Sequence, residues 1–257
     1  MMKTLLIFVA SASALVPTRL PGTPQRHVAL RAAFIDEYLK FDGSPKFDVV
    51  AKTQKFTSEQ AYKSFRLADM DPDYYSKDYV FRGPIVGPFN RADLVETIPA
   101  FGLDAAFPDL ERHAFGHCVD PENPYRCLYF ERWTATHTGD LKLPKLPTAP
   151  ATGRRSTSPA FPFSVVWNPD GRVIYEHLGP AVDRFEGSTK GKVAVFGLLE
   201  TAGVPLDVSV GNPLLVFAQK ANAFLDFDGT SAQAYSKPED VPSWWKSEAV
   251  GGEVNDV

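Results

Sequence analysis

The chain has 257 residues, of which 44% are hydrophobic and 23% charged, a composition typical of a folded globular protein. It carries 27 Lys and Arg against 31 Asp and Glu, and the net charge of -4 argues against a general nucleic-acid binder. Two cysteines are too few for a disulfide scaffold. Four of the basic residues and none of the acidic ones lie in the first 33 residues, so the remainder carries -8.

These first residues have the pattern of a targeting segment. Lys3 precedes an apolar run at 5–10 and the small residues Ala12-Ser13-Ala14, as in a signal peptide. Residues 16–33 are basic and lack acidic residues, a composition typical of transit peptides. Together they resemble the bipartite presequence of algae with secondary plastids, so residues 1–33 predict a plastid (chloroplast) location, with secretion as the alternative. The apolar run is shorter than the roughly 20 residues of a membrane-spanning helix, so none is predicted in the mature form.

Helices are predicted in the next part of the chain. Residues 34–56 are predicted to form an N-terminal strap with a short helix and a loop. Thr57-Ser58-Glu59-Gln60 has the polar cap and the Glu/Gln first turn of a helix start, so a helix is predicted from there. A strand at 79–81 follows, and Asn90 is predicted to cap a second helix that Pro99 limits.

Strands dominate the second half, where turn-forming residues separate apolar segments. The longest predicted strand mixes polar and apolar residues on both faces, so both faces are predicted to be covered. Helices followed by antiparallel strands indicate an α+β fold. The paired Trp244-Trp245 marks an interface or a membrane boundary, or else a strap that folds back onto the domain. The predicted strands are 111–119, 125–138, 161–167 and 172–183, and a further helix is predicted at 193–202.

Four short motifs then appear in a fixed order. They are Ala106-Phe107-Pro108-Asp109-Leu110, Thr136-His137-Thr138-Gly139, Ala151-Thr152-Gly153-Arg154, and Asp170-Gly171-Arg172-Val173-Ile174-Tyr175-Glu176-His177 with Asp183 beyond it. The set resembles the SnoaL-like polyketide cyclase and ester cyclase group of the nuclear transport factor 2-like superfamily. That resemblance implies a cone-shaped, curved antiparallel sheet packed against N-terminal helices (nuclear transport factor 2-like, cystatin-like) over residues 57–205. Residues 206–257 are then a C-terminal extension.

The resemblance also implies candidate catalytic residues. Asp183 matches the aspartate that acts as general acid/base in cyclases of this group, and His137 and His177 are its candidate partners. A carboxylate in an apolar pocket has a raised pKa and exchanges protons near neutral pH. The alternative interpretation is a surface aspartate at a strand end, with both histidines as hydrogen-bonded framework.

Other side chains are candidates for ligand contact or for metal binding. The aromatic and basic residues predicted to line a pocket mouth, or simply to pack in the core, are Tyr79, Arg132, Trp133 and Trp167. No metal site is predicted, because the spacing of the histidines and cysteines matches no metal motif. Cys118 and Cys127 flank a hairpin loop, so free thiols and a disulfide both remain open.

Two functions follow from this reading. The first is a SnoaL-like plastid protein that binds a small hydrophobic molecule or serves as a scaffold. The second is a cofactor-independent cyclase, isomerase or dehydratase that uses Asp183 as general acid/base. Neither requires a cofactor or nucleic acid, and a homodimer or an assembly with other proteins is compatible with both.

Overall fold

The computed structural model describes residues 39, 41–143, 147–204 and 235–245. The predicted presequence, most of the predicted C-terminal extension and the start of the N-terminal strap lie outside the described residues. Within the described ranges, no helix is long and apolar enough to cross a membrane.

The first helix lies mainly within the N-terminal strap, where a short helix is predicted, and extends two residues beyond it. Helix α1 (Val49–Ser58) begins after Asp48, whose Oδ1 accepts the backbone N–H of Ala51 at 2.9 Å. The chain becomes extended at Glu59, and a short helix α2 (Gln60–Lys63) follows. The helix predicted to start within residues 57–60 therefore begins at Gln60 but has only one turn, and Thr57 and Ser58 do not cap it because they belong to the last turn of α1. Asp48 supplies the cap of α1, and the buried Phe56 anchors α1 in the core.

The remaining helices agree more closely with the sequence. Helix α3 (Arg91–Ala100) begins at Asn90 as predicted, since the Asn90 side chain accepts the backbone N–H of Asp93 at 2.8 Å. Helix α4 (Leu103–Ala106) and helix α5 (Ala194–Thr201) complete the set in the described residues. Short 3₁₀ turns at Leu67–Asp69, Pro72–Tyr74 and Pro238–Asp240 join the elements.

Seven strands form one curved, unclosed sheet in the described part of the chain. They are β1 (Tyr75–Arg82), β2 (Phe89–Asn90), β3 (Glu111–Asp120), β4 (Asn123–Thr136), β5 (Arg155–Thr157), β6 (Phe161–Trp167) and β7 (Val173–Leu178). The order is β2-β1-β7-β6-β4-β3, with β5 beside β4. All pairs are antiparallel except β1 and β7. This confirms the predicted α+β fold with a curved, mainly antiparallel sheet.

The long strand β4 divides its side chains between two different environments. Tyr129, Glu131 and Trp133 lie buried on the face that packs against the helices, called the inner face here. The residues between them point outward, and Phe130 is 38% exposed. The prediction that both faces of this strand are covered is therefore wrong, because nothing described packs over the outer side of β3 and β4 at Phe130.

The outer face is covered at β1 and β7. The rings of Trp244 and Trp245 lie 6.0 and 5.7 Å from the ring of Tyr175. The indole Nε1 of Trp244 donates to the carbonyl of Asp78 at 2.7 Å. The segment with this Trp pair therefore folds back onto the domain as a strap, which is one of the predicted interpretations.

Candidate functional site: a cavity with a buried carboxyl group

A cavity of about 170 Å³ lies between the inner face of the sheet, α3, the loop from β1 to β2, and the segment from Leu178 to Phe196. Its walls are mainly apolar and include Phe65, Phe81, Phe89, Leu94, Phe163 and Trp133. A few polar side chains also reach it, among them Glu176 and Arg112. An apolar cavity of about 150 Å³ holds benzene, so this space suits a molecule of about one ring.

Glu176 comes from β7 and is 3% exposed. Its Oε2 accepts a hydrogen bond from the hydroxyl of Tyr79, and no other described side chain donates to it. Burial raises the pKa of Glu176 to about 7, although the Tyr79 hydrogen bond and the charge of Arg112 act in the opposite direction. Near neutral pH this carboxyl group is therefore divided between its protonated and ionised forms.

Glu131, on β4, has a different set of partners. Arg112 donates to it through Nε at 3.0 Å and through a second guanidinium nitrogen at 2.8 Å. Trp133 Nε1 donates at 2.7 Å, and the Tyr62 hydroxyl donates as well. Both oxygens of Glu131 are thus occupied by donors of the protein, so this carboxylate holds the core together and leaves Glu176 as the acidic group of the cavity.

Asp183 is not part of the cavity lining. It is exposed, and its Oδ1 accepts the backbone N–H of Phe185 at 2.8 Å within a turn. β7 ends at Leu178, five residues before Asp183, because the chain leaves the sheet at Gly179-Pro180 and proline has no N–H for a ladder bond. The expected placement of Asp183 in an apolar pocket is therefore not what the structure shows.

His137 is fully buried but lies outside the cavity lining. Its Nδ1 accepts the backbone N–H of Thr152 at 3.3 Å, and its ring stacks on Phe107 with 4.9 Å between centroids. Burial lowers its pKa. It acts as framework here, joining two motifs that carried the family resemblance. Gly139 in the same motif is also structural, since a Cβ there would collide with the Ala105 carbonyl.

His177 lies on the outer face of β7, on the opposite side from its neighbour Glu176. Its ring is stacked beside Tyr175, with 6.4 Å between centroids. Burial, together with the charges of Arg82 and Arg126, lowers its pKa to about 4. Asp183, His137 and His177 are thus not brought together, and they form no shared site.

Of the four predicted contact residues, one lines the cavity, one lies behind its acidic group and two lie elsewhere. Trp133 lines the cavity, and Tyr79 lies directly behind Glu176. Arg132 points outward and pairs with Glu186. Trp167 is fully buried in the core, where its Nε1 donates to Thr53 Oγ1 at 2.9 Å, so neither of these two reaches the cavity.

Sequence reasoning missed Glu176, Glu131 and Arg112. A signal for the two acids was present, because each has the strand parity of large apolar residues, as Glu131 lies between Tyr129 and Trp133. An acidic residue in phase with a buried face indicates a paired or protonated carboxyl group. Arg112 has no comparable signal, since it is the one buried residue of the otherwise exposed or half-buried β3.

The histidines and cysteines considered as metal ligands have other contacts. Cys118 is exposed, Cys127 is buried, and both are free thiols. His117 stacks on Tyr129 at 5.0 Å, and His113 lies 2.9 Å from the Thr134 hydroxyl. Among the described residues, no group of three or more potential ligands could hold a metal ion.

Comparison with known proteins finds similar solved structures. A protein described as a SnoaL-like polyketide cyclase, from Jannaschia sp. CCS1, is 12% identical over 53% of this chain and 90% of its own, with a TM-score of 0.36. TsrD from Streptomyces laurentii is 14% identical over 62% and 99%, with a TM-score of 0.38. An NTF2-like protein of unknown function from Exiguobacterium sp. 255-15 is 12% identical over 47% and 93%, with a TM-score of 0.32.

Two of the structures found are described as SnoaL-like and NTF2-like, the groups that the sequence motifs resemble. At these identities and TM-scores, they say nothing about what this chain binds or catalyses. No protein-family model matches the chain, and no curated protein matches it.

Proposed function

We propose that this chain binds a small, mainly apolar molecule in the cavity, with one oxygen of that molecule hydrogen-bonded to Glu176. The observation that carries this proposal is an apolar-walled cavity of about 170 Å³ with a buried carboxyl group in its lining. Because the pKa of Glu176 is raised to about 7, its protonated form donates to a carbonyl or hydroxyl oxygen near neutral pH.

Cyclohexanone and methylcyclohexane test this binding. They have similar size, and the ketone has an oxygen where the hydrocarbon has a methyl group. By titration calorimetry we expect the ketone to bind about fivefold more tightly, the value of one buried hydrogen bond. Glu176→Leu should abolish that preference while hydrocarbon binding persists.

A cavity-filling variant supplies the control for location. Ile98 lines the cavity from α3, so Ile98→Phe should weaken binding of both probes. Ala92→Phe adds the same ring at an exposed position of the same helix and should leave both unchanged. Unchanged binding by Ile98→Phe would contradict the proposal.

A second candidate function is cofactor-independent proton transfer, as in a cyclase, isomerase or dehydratase. The raised pKa of Glu176 inside the cavity favours it, because a general base works best when its pKa lies near the working pH. In this form of the hypothesis Glu176 replaces Asp183 as the acid/base, since Asp183 is exposed outside the cavity.

Deuterium exchange distinguishes the two acids. In D₂O, the chain is expected to speed exchange of the α-hydrogens of cyclohexanone, followed by NMR. Glu176→Gln should remove the exchange and Asp183→Asn should keep it. The reverse result would restore Asp183 as the base, and no exchange in the unchanged chain would leave binding alone.

The plastid location is part of the proposal and is supported by residues 1–33 alone. A fluorescent protein fused behind these residues is expected to enter the plastid of an alga with secondary plastids. Its export to the medium would support the secretion alternative. The scaffold role and a homodimer or larger assembly stay predictions.

A further inference from the structure

The segment from Gly179 to Gly191, called the mouth loop here, borders the opening of the cavity. Pro180 and Gly191 contribute to the cavity lining. Between them, Val182 is 64% exposed and Phe185 is 82% exposed, the two highest values among the exposed large apolar side chains of the described residues. Exposing two such side chains on one loop costs hydration free energy, so a contact partner is indicated.

The exposure of Phe185 does not come from a loose loop. On one side, the backbone N–H of Val182 donates to the Ala160 carbonyl at 2.9 Å. On the other, the backbone N–H of Ser188 donates to the Thr157 carbonyl at 2.8 Å. Asp183 accepts the backbone N–H of Phe185 and thereby fixes the turn between these two anchors. The loop is held so that its apolar tip projects.

Basic residues lie next to this tip and on the neighbouring strand β5, although the chain as a whole is acidic. The Arg184 guanidinium lies 4.8 Å from the centre of the Phe185 ring. Arg154 and Arg155 are exposed on and beside β5, and Ser188 of the loop hydrogen-bonds to the Arg155 carbonyl at 3.3 Å. Of the two acids in the loop, Glu186 pairs with Arg132, and Asp183 accepts the Phe185 N–H. The local surface therefore combines exposed apolar tips with a positive rim.

We propose that the mouth loop docks on an anionic membrane surface, with Val182 and Phe185 in the interfacial layer and Arg184, Arg154 and Arg155 at the lipid phosphates. Apolar side chains within a basic surface are the pattern of interfacial membrane binding, where each basic residue adds electrostatic attraction. A stable protein interface needs about 800 Å² on each partner, and two projecting side chains supply much less. This docking does not depend on which molecule the cavity binds.

A polarity-sensitive label tests the contact locally, in the full chain. The native Cys118 is changed to Ser, and Phe185→Cys is labelled with nitrobenzoxadiazole; Cys127 is buried and remains unlabelled. With vesicles of equal parts phosphatidylcholine and phosphatidylglycerol, we expect blue-shifted emission. The same label on Cys118 of the otherwise unchanged chain is the control and should not shift, because Cys118 faces Leu128 on β4, away from Arg132 and the loop.

Three outcomes overturn the proposal. They are no shift at position 185, an equal shift at both positions, and an equal shift at position 185 on vesicles of phosphatidylcholine alone. The second would assign membrane contact to another segment, such as the basic N-terminal residues. The third would remove the role of the basic rim.

Unlabelled variants measure the strength of the contact by vesicle sedimentation. Val182→Ser combined with Phe185→Ser is expected to lower partitioning about tenfold. Phe115→Ser, at an exposed phenylalanine of β3, is the matched control and should change nothing. Arg184→Gln should lower binding to the anionic vesicles about fivefold. Unchanged binding by the double variant would overturn the assignment of the apolar tip.

Discussion

Adjacent residues of β7 lie in two differently built regions, one on each face of the sheet. On the inner face, Glu176 contacts Tyr79 and the cavity, and burial raises its pKa to about 7. On the outer face, His177 lies beside Tyr175, and its pKa is lowered to about 4. Burial without a directly paired countercharge favours the neutral form in both cases. Strand β7 thus places an acid with a raised pKa on one face of the sheet and a histidine with a lowered pKa on the other face.

The inner face also contains a buried acid that is paired with a cation. Glu131 is buried as deeply as Glu176, but Arg112 pairs with it through two hydrogen bonds. A paired countercharge, rather than depth, therefore separates a carboxylate that stabilises the core from one that is available to a ligand. Each contrast can be broken by a substitution that changes charge and keeps shape.

The largest effect is expected for Glu131→Gln. The change leaves the Arg112 cation buried without its partner, which should lower the free energy of unfolding by about 3–5 kcal/mol. Urea denaturation measures it. Asp73→Asn removes the exposed pair with Arg172 and should cost less than about 1 kcal/mol. Equal costs for the two variants would remove the contrast between buried and exposed pairs.

Glu176→Gln should act through the pH dependence of stability. The folded protein keeps a proton on Glu176 between pH 4.5, its ordinary value, and about 7, so the unfolding free energy falls as pH rises through this window. The substitution should remove a fall of about 3 kcal/mol. Denaturation of both proteins at several pH values measures the difference, and parallel profiles would contradict it.

At His177 the pH dependence of stability has the opposite sign, and His177→Gln should remove it. The unfolded chain binds a proton at His177 from pH 6.5 downward, while the folded chain does so only near pH 4, so stability is lost as pH falls through this window. Because His177 is partly exposed, we expect the variant to remove about 2 kcal/mol of that loss. The same pH series measures it, and a loss that survives the substitution would place its origin elsewhere.

The smallest effect is expected at the strap on the outer face. Trp244→Phe keeps most of the ring packing but loses the hydrogen bond to Asp78, which should cost about 1 kcal/mol. Trp245→Phe is the matched control, because its buried Nε1 has no hydrogen-bond partner in the described residues. Thermal unfolding compares the two, and a larger cost at Trp245 would contradict the assignment.

Local signals in the sequence predicted the elements well where the deciding contact is also local. Asn90 caps α3 through Asp93, three residues away. Residues 57–60 carry cap chemistry as plausible as that of Asp48, yet Asp48 caps the longer helix α1 and residues 57–60 lead only into the single turn of α2. Packing of Phe56 into the core decided between them, and no local pattern reports that packing.

The candidate site depended on longer-range contacts. The family resemblance directed attention to Asp183, whose place relative to the cavity depends on where β7 leaves the sheet. It passed over Glu176, although the same motif contains it. The matching motifs indicate the path of the chain more than the position of a reactive group. His137 and Gly139 illustrate this, because both have structural contacts.

The α+β order of helices and strands, and the period-two alternation that divides each strand into two faces, can be read from the amino-acid pattern. Which acid lines the cavity and which pairs with a cation depends on contacts between distant strands. Tyr79 and Glu176 are 97 residues apart, and a one-residue change of register exchanges Glu176 with His177 between the faces. Burial and countercharge set the chemistry of these groups, and both arise only when distant strands come together.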